Sequence, residues 1–346
     1  MKALIAMSGG VDSSVAAFLA QQAGYHCTGA TMLLADQNIQ AAYDAAAVAE
    51  RLGMEHLIYD FSESFQDQVI DPFIACYEQG GTPNPCILCN RYIKFGELLY
   101  AAREMECDRI VTGHYARIRF DEASGRYLLY KAVDSAKDQT YFLSCLNQQQ
   151  LAHTFLPLGE LTKAQVRQIA QEQNFQTAHK KDSQDICFIP NGDYLEFMQD
   201  YTSKEYPAGD FLDLQGKIVG RHKGAVGYTL GQRKGLGLAM GAPVYVCRKD
   251  MEKNTVTVGP EEVLFATTLM AEDWQWFPFP ALAEPIQVTA KARYRHKEQP
   301  ATVYPMDNGR AKVVFDEPQR AMTPGQTVTL YQGDLVVGGG IITDVL

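Results

Sequence analysis

Over the first sixty positions, short uncharged apolar runs alternate with longer stretches in which apolar residues recur at helical spacing. Ala3-Leu4-Ile5-Ala6-Met7 has no polar side chain, as expected of a parallel strand buried on both faces. Residues 15–23 set Val15, Phe18 and Leu19 among alanines and predict a helix. Residues 26–33 predict a second strand, 39–53 an Ala-rich helix stopping at Gly53, and 55–60 a third strand. This alternation predicts an α/β fold with a doubly wound parallel sheet, whose ligands lie beyond the carboxyl ends of the strands. Helical patterns return at 64–78 and 90–106, on either side of the loop Gly80-Gly81-Thr82-Pro83-Asn84-Pro85. A strand at 109–112, a small polar hairpin at 116–131 and helices at 162–173 and 194–200 complete the region.

Beyond Pro207 the texture changes to short alternating runs, glycine turns and few helix signals, which predicts all-β structure. Strand patterns at 287–292 and 311–315, with turns at Asn308-Gly309 and Thr323-Pro324-Gly325-Gln326, suffice for a small β-barrel. The expected organisation is a catalytic α/β domain over 1–203, a small β-rich central domain over 204–266 and a C-terminal β-barrel over 267–346. At 346 residues the chain is too long for one typical domain, and no uncharged stretch approaches the length that spans a bilayer. Met1-Lys2 runs straight into the first strand, so no leader peptide is expected. The eight cysteines are scattered, which predicts a reducing cytoplasm and not a disulfide framework.

The net charge of −10 argues against a nucleic-acid partner until its distribution is read. Residues 1–80 hold ten acids against Lys2 and Arg51, yet no acid stands between Asp213 and Asp250, a span with seven Lys and Arg residues. A second acid-free run holds Lys291, Arg293, Arg295, His296 and Lys297. Phosphate contacts depend on local charge, so an acidic face with basic patches elsewhere accommodates RNA.

Two motifs carry chemistry. Ser8-Gly9-Gly10-Val11-Asp12-Ser13-Ser14 joins the first strand to the first helix, so backbone N–H groups and the positive helix end face a ligand. The loop ends without lysine and is therefore not the GxxxxGK[ST] pattern. The second motif is Cys86-Ile87-Leu88-Cys89, directly after Asn84-Pro85. With Asn84 as cap and Pro85 in the first helical position, both thiols share one side of a helix start, where a lowered pKa is expected. Cys187 follows a charged loop over 180–186 whose lysines should also favour thiolate, while Cys27, Cys76, Cys107, Cys145 and Cys247 read as core fillers. If the glycine loop serves an adenylating ATPase, as its resemblance to the pyrophosphate loops of such enzymes implies, the loop and thiolates together suit replacement of a carbonyl oxygen by sulfur: AMP makes the oxygen a leaving group, and a persulfide, sulfide or cluster supplies the sulfur.

The glycine loop resembles the pyrophosphate loop of N-type ATP pyrophosphatases, which cleave ATP between the α and β phosphates. That loop, Thr82–Pro85, Cys89-Asn90-Arg91-Tyr92-Ile93-Lys94-Phe95, Gly113-His114-Tyr115, Lys137-Asp138-Gln139-Thr140-Tyr141-Phe142-Leu143, Asp185-Ile186-Cys187-Phe188-Ile189, Gly231-Gln232-Arg233-Lys234-Gly235-Leu236-Gly237, Arg293-Tyr294-Arg295 and Thr323–Gln326 are together similar to motifs of bacterial tRNA-specific 2-thiouridylases, in order and over nearly the whole chain. The resemblance implies ATP-dependent thiolation of the wobble uridine by adenylation of its 2-carbonyl oxygen. It implies ATP held by Ala6, Met7, Ser8, Gly9, Gly10, Val11, Asp12, Ser13, Met32 and Gly113, with Asp12 orienting Mg²⁺. Cys187 would carry a persulfide, and Cys89 would release its sulfur, closing a Cys89–Cys187 disulfide. Asn84, Pro85 and Cys86 would face the target uracil; His114, Lys137, Asp138, Gln139, Arg293, Tyr294 and Gln326 would contact the tRNA anticodon stem-loop. A cysteine desulfurase or a sulfur relay protein is the implied donor.

One position departs from the family pattern, which has Asp where this chain has Cys86. Three thiols at Cys86, Cys89 and Cys187 would also make a three-legged site for a 4Fe–4S cluster with an open iron for hydrosulfide. A small-molecule ligase of the GMP-synthetase type is the competing enzyme reading, but it leaves the three thiols and the β-rich third unexplained. A non-enzymatic RNA-binding or Fe–S carrier module with a vestigial loop is the other.

Overall fold

Strand β1 (Lys2–Ala6) is the centre of a five-stranded sheet in a computed structural model that describes residues 1–34, 39–180, 186–189 and 191–346. The reading of Lys181 as a thiolate-favouring lysine, and of Asp185 in its motif, lies outside the described residues. On one side of β1 run β2 (His26–Leu33) and β3 (His56–Asp60); on the other run β4 (Arg109–Val111) and β7 (Thr154–Phe155), all parallel. Consecutive β1 side chains serve opposite faces: Ile5 packs with Val15 and Ala16 of α1 (Val11–Gln22), and Leu4 with Phe95 and Leu98. Both are fully buried, which is why the run tolerates no charge, and each contributes roughly 1.5–3 kcal/mol of burial. Helix α2 (Ile39–Arg51) covers β2 and β3.

Two departures from the sequence pattern matter for the site. Helix α1 starts four positions earlier than Val15, because the Ser13 and Ser14 hydroxyls donate to Gly10 O (3.1 and 2.8 Å) and wind Val11–Ser14 into its first turn. The 90–106 helix is compound: an α-turn Pro85–Leu88, a π-helix Cys89–Glu97 and an α-helix Leu98–Glu104. β7 went unseen because two residues carry no period; only its register with Ile110 and Val111 defines it.

The central sheet holds β8 (Gly209–Leu212), β9 (Ile218–His222), β10 (Tyr245–Asp250) and β11 (Thr255–Gly259). The last six strands, β12 (Phe265–Trp276), β13 (Ile286–Lys291), β14 (Gln299–Pro305), β15 (Ala311–Arg320), β16 (Thr327–Gln332) and β17 (Leu335–Val345), close through a β12–β17 pairing into an antiparallel barrel. Asn308 and Gly309, both at positive φ (59° and 70°), turn the chain between β14 and β15. The hairpin β5 (Ala116–Asp121) and β6 (Arg126–Lys131) belongs by pairing to this barrel sheet and not to the first one: Tyr130 pairs with Leu335, and the Arg126 guanidinium donates to Trp276 O and Phe277 O.

His222 ties the central sheet together as a neutral imidazole. Gly224 N–H donates to Nδ1 (3.0 Å) and Nε2–H donates to Asn254 O (3.1 Å), and burial lowers its pKa below 6.5. The unfolded chain therefore binds the proton more readily, so this contribution is complete above about pH 6.5 and is lost as pH falls. The Tm of the wild type should drop relative to that of His222→Gln between pH 7 and 5; parallel Tm–pH curves would refute the assignment.

Candidate active site

Gly10 caps α1 in an extended conformation without any side-chain hydrogen bond, so the N–H groups of the first turn keep their donors for an anion. Gly9 lies at φ +66° with a Cβ position only 2.5 Å from Ala41 O, so no larger residue fits there. Ala6 and Met7 are buried beneath the loop, and Met7 N–H donates to Ala30 O at 2.8 Å. Ser14 is also buried, its hydroxyl shared between Gly10 O and Thr177 Oγ1, so it braces the turn and does not reach a ligand. Asp12 is fully engaged: Lys163 Nζ donates to both carboxylate oxygens (2.7 and 2.8 Å) and Tyr115 OH to one (2.7 Å). A second lysine, Lys180, donates to Gly9 O at 3.0 Å and pairs with Asp44. Gly113 ends β4 directly against the loop, its Cβ position 2.8 Å from the Asp12 carbonyl carbon.

Asn84 caps the next helix as expected, Oδ1 accepting from Cys86 N–H at 3.2 Å, with buried Pro85 in the first position. Cys86 and Cys187 are exposed and Cys89 is buried. The helix start does not lower their pKa values. Desolvation is the largest effect on all three thiols and raises each, Cys89 to about 11. Burial overrides the dipole because the wall around the thiols is apolar: Cys89 packs with Ile93, Phe188 and Ile189, and Met32 from the end of β2 packs on the same cluster. The thiols nonetheless share one electrostatic site. Cys89 senses Cys86 and Cys187, and the charge of Lys94 pulls all three downward. Lys94 also depresses His114, which lies well below its ordinary value chiefly through burial.

These contacts connect the two halves. Gly113 abuts Asp12, and His114 follows it and packs on Phe95 (centroids 5.6 Å apart), which lies in the same helix as Cys89. A chain of contacts thus runs from the glycine loop through Gly113, His114 and Phe95 to the helix of Cys89, and Met32 at the carboxyl end of β2 packs on the cluster that contains Cys89.

The residues expected to touch tRNA divide. Gln326 from the barrel donates to Thr82 O (2.7 Å), Arg293 to Leu230 O (3.1 Å) and to the Thr323 hydroxyl, and the ring of exposed Tyr294 packs at a tilt on Phe142 (centroids 4.4 Å apart), whose carbonyl accepts from Asn90. Gln326 and Tyr294 thereby border the segment that leads into and out of the Cys86–Cys89 turn, while Arg293 is bonded to the loop at Leu230. Asp138 and Gln139 turn inward: Asp138 accepts from Ala132 N–H (2.9 Å) and Thr140 OH (2.6 Å), and Gln139 Oε1 from Tyr115 N–H (2.9 Å). Lys137 is half-buried in the same turn.

Sequence reading missed Lys94 and Lys163, and gave Lys180 to the Cys187 thiol, whereas it bonds Gly9 O and pairs with Asp44. Lys163 left a signal, since it occupies the first position of the helix Lys163–Glu172, where the dipole disfavours a cation. A lysine there has a purpose outside its own helix, and that purpose is Asp12. Lys94 left none, because five residues from Cys89 is the wrong side of an ordinary helix.

The chain matches three family models, described as the tRNA methyl transferase HUP domain (residues 1–191), the tRNA methyl transferase PRC-barrel domain (195–260) and the aminomethyltransferase beta-barrel domain (266–342). It is 47% identical to the tRNA-specific 2-thiouridylase MnmA of Acetivibrio thermocellus, over 99% of each chain. It is 48% identical to the enzyme of that name from Moorella thermoacetica, again over 99% of each, and 46% identical to that of Clostridioides difficile, over 99% of this chain and 98% of the other.

Proposed function

The chain belongs to the tRNA-specific 2-thiouridylase family, and on that premise we propose how its loop and thiols thiolate the wobble uridine. It is an ATP-dependent tRNA-uridine 2-sulfurtransferase. The methyl-transfer wording of the domain descriptions has no counterpart in the names of the full-length relatives, and paired thiols beside an adenylating loop suit sulfur. The observation that carries the reading is geometric: Gly113 abuts Asp12 of the glycine loop, and the next residue, His114, packs on Phe95 of the helix that carries Cys89.

ATP enters as its magnesium complex. The uracil 2-oxygen attacks the α-phosphorus and pyrophosphate leaves, its charge met by the open N–H groups of α1 and by Lys163. Asp12, held by Lys163 and Tyr115, orients that lysine in preference to binding a metal itself. With a persulfide on Cys187, the Cys89 thiolate attacks Cys187 Sγ, and the terminal sulfur leaves as hydrosulfide. Hydrosulfide adds to C2, and AMP departs with the former carbonyl oxygen. The two thiols lose an electron pair to the sulfane sulfur and end as a disulfide, which must be reduced before another turnover. Exposed Cys86 stands where the family has a carboxylate and serves as a proton carrier. Asn84 and Pro85 border the uracil, while Tyr294, Gln326 and Arg293 shape the RNA-facing rim around a flipped-out base.

The donor set does not fit a resident metal: among the described residues no group of three His, Cys, Asp or Glu side chains is gathered to hold an ion. The persulfide route is therefore the one these residues support, with a cysteine desulfurase or relay protein as donor. No helix among the described residues is long and apolar enough to cross a membrane, and a cytoplasmic setting follows from free thiols and a tRNA substrate. The small-molecule ligase reading is not favoured, since the thiouridylase relatives match over the full length.

The test is reconstitution with iron-free protein, ATP, unmodified tRNA, cysteine and a desulfurase. The expected products are 2-thiouridine in the digested tRNA and tRNA-dependent AMP. AMP formation indifferent to tRNA without thiouridine would overturn the function; thiolation that appears only in iron-loaded, anaerobic protein would overturn the persulfide route.

A further inference from the structure

His114 sits between the nucleotide loop and the helix of Cys89, and the chain on either side of it is pinned. Gly113 lies against the Asp12 backbone. Tyr115 bonds Asp12 through its hydroxyl (2.7 Å) and Gln139 Oε1 through its N–H (2.9 Å). Phe95 packs against the imidazole at a tilt of 43°. Two further contacts come from Thr112, the residue after β4, which is only 3% exposed. Its Oγ1 lies 2.8 Å from His114 Nδ1, and His114 N–H donates to the same oxygen at 3.4 Å. Nε2 has no hydrogen-bond partner among the described residues, and His114 is half-buried, which leaves that nitrogen for a ligand.

Hydrogen counting locates the ring proton. A buried hydroxyl carries one hydrogen that must find an acceptor. Thr112 Oγ1 already accepts from His114 N–H, and the acceptor bonded to it is Nδ1. With Nδ1 protonated, two donors would point at Oγ1, and the hydroxyl hydrogen would have no acceptor among the described residues. The proton of the neutral ring therefore belongs on Nε2. Burial opposes a second proton and keeps the ring neutral. We propose that Thr112 is a positioning residue for the adenylation step. It fixes His114 as the Nε2–H tautomer, so that the imidazole donates a hydrogen bond to an oxygen of the reacting groups, either a phosphate oxygen of ATP or a carbonyl oxygen of the uracil. A donor held in place before reaction answers the charge that develops on such an oxygen. The choice of substrate rests on the thiolation reading; the tautomer does not.

The test uses the full chain labelled with ¹⁵N-histidine and long-range ¹H–¹⁵N correlation at neutral pH, with His114 assigned as the signal lost in His114→Gln. The expected pattern is a protonated Nε2 and an unprotonated Nδ1. Thr112→Val, of nearly the same shape, should average the two nitrogens between tautomers, whereas Thr112→Ser keeps the hydroxyl and the wild-type pattern. The magnesium complex of adenosine 5′-(α,β-methylene)triphosphate and an unmodified anticodon stem-loop RNA are then added separately and together. A downfield move of the Nε2–H proton with the nucleotide assigns the phosphate oxygen, and one with the RNA assigns the uracil carbonyl. In thiolation assays Thr112→Val should lower kcat about tenfold with KM for ATP unchanged, and Thr112→Ser should restore it. An Nε2–H signal that no addition moves, a fixed wild-type pattern in Thr112→Val, or wild-type kcat in that variant would each overturn the proposal. The wild-type spectrum is decisive even if Thr112→Val does not fold: a protonated Nδ1 in protein that thiolates tRNA sinks this inference and leaves the proposed function standing.

Discussion

Cys89→Ser is expected to abolish thiouridine formation, by roughly a thousandfold or more, while ATP binding stays intact. The substitution removes one sulfur from a buried site and replaces it with a group of similar size, so the packing of Ile93, Phe188 and Ile189 around it survives. What disappears is the nucleophile. A serine hydroxyl beside Lys94 does not ionise at neutral pH and cannot take the place of a thiolate in attacking a persulfide, so the sulfane sulfur stays on Cys187. Cys187→Ser should fail equally for the complementary reason that nothing carries the sulfur. In both variants the α1 turn is untouched, so nucleotide titration should match the wild type. Nucleoside mass spectrometry of the reacted tRNA gives the answer, and thiouridine at near wild-type yield in either variant would refute the assigned roles.

Gly9→Ala should have a comparable effect at the other end of the site. Two costs combine: a left-handed backbone that an L-residue adopts at about 1–2 kcal/mol, and a methyl 2.5 Å from the Ala41 carbonyl oxygen, a backbone atom of α2 that cannot swing aside. The loop must move, and with it the uncapped N–H groups of α1 and the carbonyl that receives Lys180. A displacement of an ångström at a phosphate site costs about a hundredfold in rate, so tRNA-dependent AMP release should fall by at least that much. The thiols lie on other elements, and their labelling profile should not change. Wild-type AMP release by a folded Gly9→Ala protein would show that this loop does not cradle ATP.

The thiol environment shows where local rules reach their limit. From the sequence, the Pro85 helix start predicts lowered thiol pKa values, and the cap and proline are where that rule puts them. The prediction still fails, because desolvation by Phe188, Ile189 and Ile93 outweighs a dipole effect confined to one turn. The same limit applies to the RNA-facing residues. Asp138 and Gln139, which the family resemblance sets at the tRNA, take hydrogen bonds within the fold from Ala132, Thr140 and Tyr115 that no local pattern announces.

The sequence by itself determined the order of strands and helices in the first domain, the change to β structure after Pro207, the glycine loop, the thiols and the family. Each of these is written in neighbouring residues: a two-faced apolar run, a Gly-Gly before a helix, a cap two positions ahead of a thiol. Tertiary structure alone decided which lysines serve the site. Lys163 comes from a helix some 150 positions beyond Asp12, and Lys180 reaches the carbonyl of Gly9 from 171 positions away. It likewise gave the hairpin Ala116–Lys131 to the barrel through one pairing with Leu335. The reason is physical: propensity and periodicity act over a few residues, whereas hydrogen-bond closure and desolvation depend on whatever the completed fold places alongside.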